Sequence, residues 1–266
     1  MIRLGMAILL ALHWMSVQAA GLDQSAWDGL LKKHVTSLRS GQATEVDYAG
    51  FAADRSQLKQ YLASVSGVAP AEFDRWDKPS QLAFLINAYN AFTVELVLTR
   101  YPDVKSIKDL GSLLRSPWKK SFIPLLGDTR SLDDIEHGLI RGSGRYAEPR
   151  IHFAVNCASI GCPALRPEAY AGERLEAQLE DAARGFLADR TRNRLDGNTL
   201  KVSSIFKWYR GDFEKEWRGA DSLAGFFVLY RQSLALDEGA ANRLKAGAIG
   251  IEFLDYDWRL NSKSSP

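Results

Sequence analysis

Residues 81–100 read QLAFLINAYNAFTVELVLTR. Leu82, Phe84, Leu85, Ile86, Phe92, Val94, Leu96, Val97 and Leu98 place apolar side chains almost all round a helical wheel. A helix of that kind is central and buried, because no face of it suits water. Pro79-Ser80 opens it and Tyr101-Pro102 stops it, since proline disfavours helical backbone at the residue before it. Asn87 and Asn90 sit inside this run, one turn apart on one face. Each amide needs several hydrogen-bond partners if buried, so both are candidate substrate contacts or scaffolding for a site.

Outward from this helix, residues 22–40 and 55–65 read as further helices; the first carries Leu22, Trp27, Leu30, Leu31 and Val35 roughly on one side. Beyond it, Trp118 to Leu126 reads as a strand and Gly127-Asp128 as a turn. Ser131 caps a short helix, Leu132 to Arg141, with Asp133 and Asp134 in its first turn. Ile151 to Asn156 alternates like a strand and ends in a Cys/Gly/Pro loop. Glu173 to Asp189 reads as an amphipathic helix, and Asp196-Gly197 joins two short strands as a hairpin. Ala248 to Tyr256 is a last strand with Ile249, Ile251 and Phe253 inward. No βαβ rhythm, repeat or Gly/Ser/Pro-rich linker appears. The expected class is α+β, one domain over residues 20–266, with the central helix packed on a mixed or antiparallel sheet.

The composition excludes several function classes. A 46% hydrophobic chain of 266 residues with 7 Trp, 9 Tyr and 12 Phe buries a sizeable core and is neither disordered nor fibrous. Thirty-four basic residues against 32 acidic ones give a net charge of +2, without the basic excess of a nucleic-acid binder. Two cysteines make neither a disulfide-dense scaffold nor a four-thiolate zinc site. At the N-terminus, a short basic start, an apolar run from Leu4 to Val17 and Val17-Gln18-Ala19 have the layout of a signal peptide over residues 1–19. That run is shorter than the roughly 20 residues a membrane span needs. The expectation is a soluble exported protein, periplasmic or secreted, with no stable membrane insertion after cleavage and both cysteines in an oxidising compartment.

Chemistry concentrates between residues 131 and 163. In SLDDIEHGLIR, Glu136 falls on the apolar stripe of Leu132, Ile135, Leu139 and Ile140, and a buried carboxylate wants a donor. His137 lies toward the polar side with Asp133, Asp134 and Arg141. In RIHFAVNCASIGCPAL, alternation puts His152, Ala154 and Asn156 on one face and carries Cys157 to the strand end. A cysteine nucleophile needs a base and a group that orients the base. Cys157, with His152 or His137 as base and Glu136 as orienter, supplies these types. Asn156 or Asn87 is a candidate carbonyl-polarising amide. Three other arrangements compete: a Cys157–Cys162 disulfide, a zinc site using His152, Cys157 and Cys162, and two inert buried thiols. Trp118-Lys119-Lys120 and Phe206-Lys207-Trp208-Tyr209-Arg210 interleave aromatics with cations, which suits either a ligand groove or inward packing with the cations in water. No phosphate loop, GxSxG or HExxH motif occurs, and neither cofactor nor bound metal is assigned.

INAYNAF, SLDDIEHGLIR, RIHFAVNCASIGCPALRPEAY, LEDAARGFL and VSSIFKWYRGDF, in this order, resemble domain-of-unknown-function family 547 (DUF547) over about residues 80–215. The C-terminal LDYDWRLN is similar too. The resemblance implies an exported bacterial protein, and its motif positions fall on Asn87, Tyr89, Asn90, Glu136, His137, His152, Asn156, Cys157, Cys162 and Pro163. It implies a site there without naming a substrate.

The leading expectation is a thiol-dependent hydrolase or acyltransferase of permuted papain- or transglutaminase-like logic, acting on an amide or thioester of a peptide or small molecule. Cys157, His137, His152 and Glu136 carry the chemistry. Asn87, Asn90, Asn156, Cys162 and Trp208 contact substrate. The competing expectation is a non-catalytic binding module whose cysteine loop is a structural bridge.

Overall fold

The computed structural model describes residues 21–112 and 116–263, so the leader expected over residues 1–19 lies outside the described residues. The N-terminal helix α1 (Ser25–His34) buries Trp27, Leu30 and Leu31 and then runs into a hairpin of β1 (Val35–Leu38) and β2 (Ala43–Val46). Helices α2 (Tyr48–Ala53), α3 (Arg55–Ser66) and the single turn α4 (Pro70–Phe73) follow. They lead into α5 (Lys78–Leu98), which Asp77 caps by accepting a hydrogen bond from the Ser80 N–H at 2.7 Å. Among the described residues α5 alone is long and apolar enough to cross a membrane. Almost all of that stretch is buried inside the protein, so it is a core helix.

Two short strands, β3 (Ile123–Leu125) and β4 (Asp128–Arg130), pair antiparallel ahead of a wide π-helical turn over Asp134–Arg141. A 3-10 turn, Pro149–Phe153, leads through the cysteine loop to α6 (Leu175–Ala188). The hairpin of β5 (Arg194–Asp196) and β6 (Thr199–Ser203) follows, then α7 (Ile205–Trp208), α8 (Arg210–Phe213), α9 (Leu223–Leu229) and α10 (Glu238–Lys245). The last strand, β7 (Gly250–Leu254), adds to β6 in parallel, with Thr199 opposite Gly250. The class is α+β, with one mixed three-stranded sheet and two separate two-stranded hairpins among the described residues.

The sheets are small, and α5 is enclosed mainly by α2, α3, α6 and the turns around Asp134–Arg141 and Gly172–Arg174 rather than laid across a sheet. One apolar cluster surrounds α5; a second gathers Phe153, Phe186, Phe206, Phe213, Phe226 and Phe227. The segment 151–155 separates them: Ile151, Ala154 and Val155 belong to the first cluster and Phe153 to the second.

That segment is not the strand its alternation suggests. Pro149 starts a tight turn, which is closed by the Ala154 and Val155 N–H groups donating to the Ile151 carbonyl at 2.9 and 3.0 Å. The fully buried Arg150 reaches from this turn to Glu148 at 2.6 Å and to Glu176 and Glu180 of α6 at 2.6 and 3.0 Å. Apolar residues two apart suit a strand, but here they serve two cores on opposite sides of a turn. Only Ile123–Leu125 of the 118–126 run is a strand, because Pro117 sets a 3-10 turn over Pro117–Lys119.

Candidate active site

The π-helical turn begins as the sequence suggests. The Ser131 hydroxyl accepts from the Asp134 N–H at 3.1 Å, while Asp134 accepts from the Ser131 N–H at 2.8 Å. Its wide winding ends at Gly142, where a Cβ would lie 2.6 Å from the His137 carbonyl oxygen. Such turns recur at functional sites. This one turns Ile135, Glu136 and Ile140 inward and leaves His137 well exposed.

Glu136 meets His152 in the interior. His152 Nδ1 and Glu136 Oε1 are 4.0 Å apart, too far for a hydrogen bond, and neither atom has a hydrogen-bond partner among the described residues. The other ring nitrogen, His152 Nε2, sits 2.9 Å from Asp212 Oδ2. Burial pushes the His152 imidazole below its ordinary pKa, against the opposing pull of Asp212 and Glu136. Burial would raise the Asp212 carboxyl, but hydrogen bonds from His152, Arg141 and Lys215 hold it well below the usual carboxylate range. An ionised carboxylate only accepts, so Nε2 carries the proton and Nδ1 keeps a bare lone pair.

The group that orients His152 is therefore Asp212, not Glu136. Asp212 arrives from α8, and Arg141 Nε also donates to it at 2.5 Å. The Tyr209 ring stacks on the imidazole with centroids 3.8 Å apart. Tyr89 and Tyr209 lie beside the Glu136 carboxylate; burial raises both phenols, and Glu136 adds to it. His137 is the weaker candidate base, because Arg141 donates to its Nδ1 at 2.6 Å and occupies that lone pair.

Cys157 and Cys162 are bonded to each other, with Cα atoms 6.0 Å apart. The expectation of a directly available Cys157 thiol is corrected by this bridge: no free cysteine remains among the described residues. A bridged sulfur is also no thiolate ligand, and the described residues contain no cluster of three or more His, Cys, Asp or Glu that would hold a metal. The cysteine loop is pinned to the C-terminal segment by Ile160 and Gly161 N–H groups donating to the carbonyls of Arg259 and Asp257. A Cβ at Gly161 would come within 3.0 Å of the Asp257 nitrogen and the Tyr256 ring. Tyr256 in turn brings its hydroxyl 3.1 Å from Cys157 Sγ.

Asn90 and Asn156 brace this loop, and Asn87 braces the chain beyond it. Asn90 donates to the Ala154 carbonyl at 3.0 Å and accepts from the Asn156 N–H at 2.8 Å. Asn87 does the same for Tyr170, at 2.8 and 3.0 Å. Asn156 donates to the Pro163 carbonyl and accepts from the Ala158 N–H, bracing the bridge from within. None of the three lines the cleft. Their amides are committed to backbone groups, which makes them scaffolding in place of the expected substrate contacts.

A cleft of about 210 Å³ runs between the two cores, lined by Glu136, His137, His152, Cys157 and Cys162 among others. That volume admits the end of a side chain rather than a whole drug-sized ligand. Trp208 stands at it with 47% exposure, stacked on Trp258 at 5.7 Å. Residues 73–187 match a family described as "Protein of unknown function, DUF547". The resemblance to DUF547 read from the motifs is shown over this segment. No curated protein and no solved structure matches it. The DUF547 segment holds Tyr89, Asp133, Glu136, His137, His152 and both cysteines, while from beyond it Tyr209, Tyr256 and Trp258 complete the cleft and Asp212 holds the His152 ring. Tyr209 belongs to the aromatic and cationic run read from the sequence as a candidate groove wall, whereas nothing in the quoted VSSIFKWYRGDF singles out Asp212. An acid on a short helix bears no mark of a histidine partner 60 positions away.

Proposed function

We propose that the cleft is a thiol-dependent acyl-transfer site of an exported protein, a hydrolase or acyltransferase acting on an amide or thioester of a peptide or small molecule. The observation that carries this reading is His152, held through Nε2 by Asp212 with its Nδ1 lone pair free, in the same cleft as Cys157. Two electrons and two protons from an external dithiol open the bridge. His152 Nδ1 then takes the Cys157 proton, and Asp212 stabilises the imidazolium. The thiolate attacks the acyl carbon, a C–S bond forms, the C–N bond breaks, and His152 returns the proton to the leaving amine. Water, losing a proton to Nδ1, attacks the thioester, breaking the C–S bond and regenerating the thiol.

The test is alkylation of the purified chain with iodoacetamide, mapped by mass spectrometry. The expected result is no labelling before reduction and preferential labelling of Cys157 after it, slowed about tenfold or more in His152→Gln and Asp212→Asn. Equal, slow alkylation of wild type and both variants would overturn the proposal. The bridge itself supports a second reading, a non-catalytic binding module with a structural disulfide in an oxidising compartment. That reading requires reduction to melt the loop without exposing a reactive thiol.

A further inference from the structure

Glu136 and His152 pose a problem that acyl transfer through Cys157 does not use up. Each residue is more than nine-tenths buried, each lines the cleft, and each turns an atom without a partner toward the other. Both atoms are acceptors: Oε1 belongs to a carboxylate, and Nδ1 is the unprotonated nitrogen of a ring whose Nε2–H goes to Asp212. At 4.0 Å they cannot satisfy one another, and a single group satisfies both only if it carries at least two donor hydrogens. The Arg141 guanidinium is spent on Asp212 and His137, and no Lys or Arg among the described residues forms an ion pair with Glu136 within 4 Å. A buried carboxylate without a countercharge is costly. Beside it stand the rings of Tyr89 and Tyr209 and, also on the cleft, the carboxyl of Asp133.

We infer that this cleft recognises a primary ammonium group, seated between Glu136 Oε1 and His152 Nδ1. An ammonium supplies three donors and the missing positive charge together, and an aromatic wall favours it further. The small volume fits an amine at the end of an alkyl chain, such as a lysine side chain or an alkylamine. The inference rests on the acyl-transfer reading only for its role: the amine is then the group released from, or joined to, the acyl carbon. Recognition itself needs no free thiol.

The experiment is an NMR titration of the full chain, its bridge intact, with n-butylammonium chloride; butan-1-ol and butyramide are the neutral controls. Saturable shifts of the His152 ring are expected with n-butylammonium and not with the controls. Glu136→Gln weakens binding by at least about 30-fold, and Asp133→Asn, whose carboxyl is more exposed, weakens it about three- to tenfold. Melting curves confirm that each variant is folded, and if Glu136→Gln is not, Asp133→Asn decides. Equal response to butyramide, or unchanged affinity in the folded variants, overturns the inference. Because the protein is oxidised throughout, failure here is distinguishable from failure of the alkylation experiment.

Discussion

His152 Nδ1 and Glu136 Oε1 face each other across 4.0 Å, and each is buried without a hydrogen-bond partner among the described residues. Native interiors satisfy the large majority of such atoms, so an orphaned pair is where a protein is expected to receive a ligand or do chemistry. The surrounding structure holds this unsatisfied pair in place. Arg150 fastens the turn before His152 to α6, Asn90 fastens the backbone after it to α5, and Asp212 fixes the ring from α8.

Asp212→Asn replaces an obligate acceptor with a group that also donates, and removes the countercharge of Arg141. The Nε2-protonated tautomer of His152 dominates in the wild type and gives way to a mixture in the variant, which ring ¹⁵N shifts report directly. Stability falls by about 2–4 kcal/mol, as for breaking a largely buried charge pair, measured by urea unfolding.

The depressed pKa of His152 makes stability depend on pH. The unfolded chain protonates this ring near its ordinary value of about 6.5, whereas the folded chain resists protonation to lower pH. Between those values the unfolded state binds more protons, so this contribution is fully present above about pH 6.5 and is lost as pH falls from there toward the folded value. Melting temperatures of wild type and His152→Gln, compared from pH 8 to 5, show a steeper acid decline for the wild type.

Asn90→Ala keeps a good helix former in α5 but strips partners from the Ala154 carbonyl and the Asn156 N–H, both in buried surroundings. The cost is about 2–4 kcal/mol by urea unfolding. It is accompanied by loss of protection from hydrogen exchange in residues 154–158, ahead of α5 itself.

How much was legible in the sequence follows from the range of each interaction. Apolar residues all round 81–100 had one stable solution, burial, and the structure places α5 in the core, starting at Lys78 behind an Asp77 cap just ahead of the expected Pro79-Ser80 and ending at Leu98, before Tyr101-Pro102. The hairpin at Asp196-Gly197, the Ser131 cap and the inward alternation near Ile249 are equally local, and all are present. Glu136 could be recognised as a buried acid because helical spacing alone sets its face.

Tertiary structure decided what those groups meet. His152 lies on a turn rather than a strand because two cores need residues 151–155 from opposite sides, and a period of two does not distinguish that from a sheet. Asp212 rather than Glu136 orients the imidazole because packing of Phe213 against Phe206 and Phe226 sets α8 beside the 149–153 turn. The asparagines became braces and the cysteines a bridge for the same reason. Periodicity and capping report on neighbours within a turn or two, whereas the identity of a partner 60 or 100 positions away exists only once the two cores have packed.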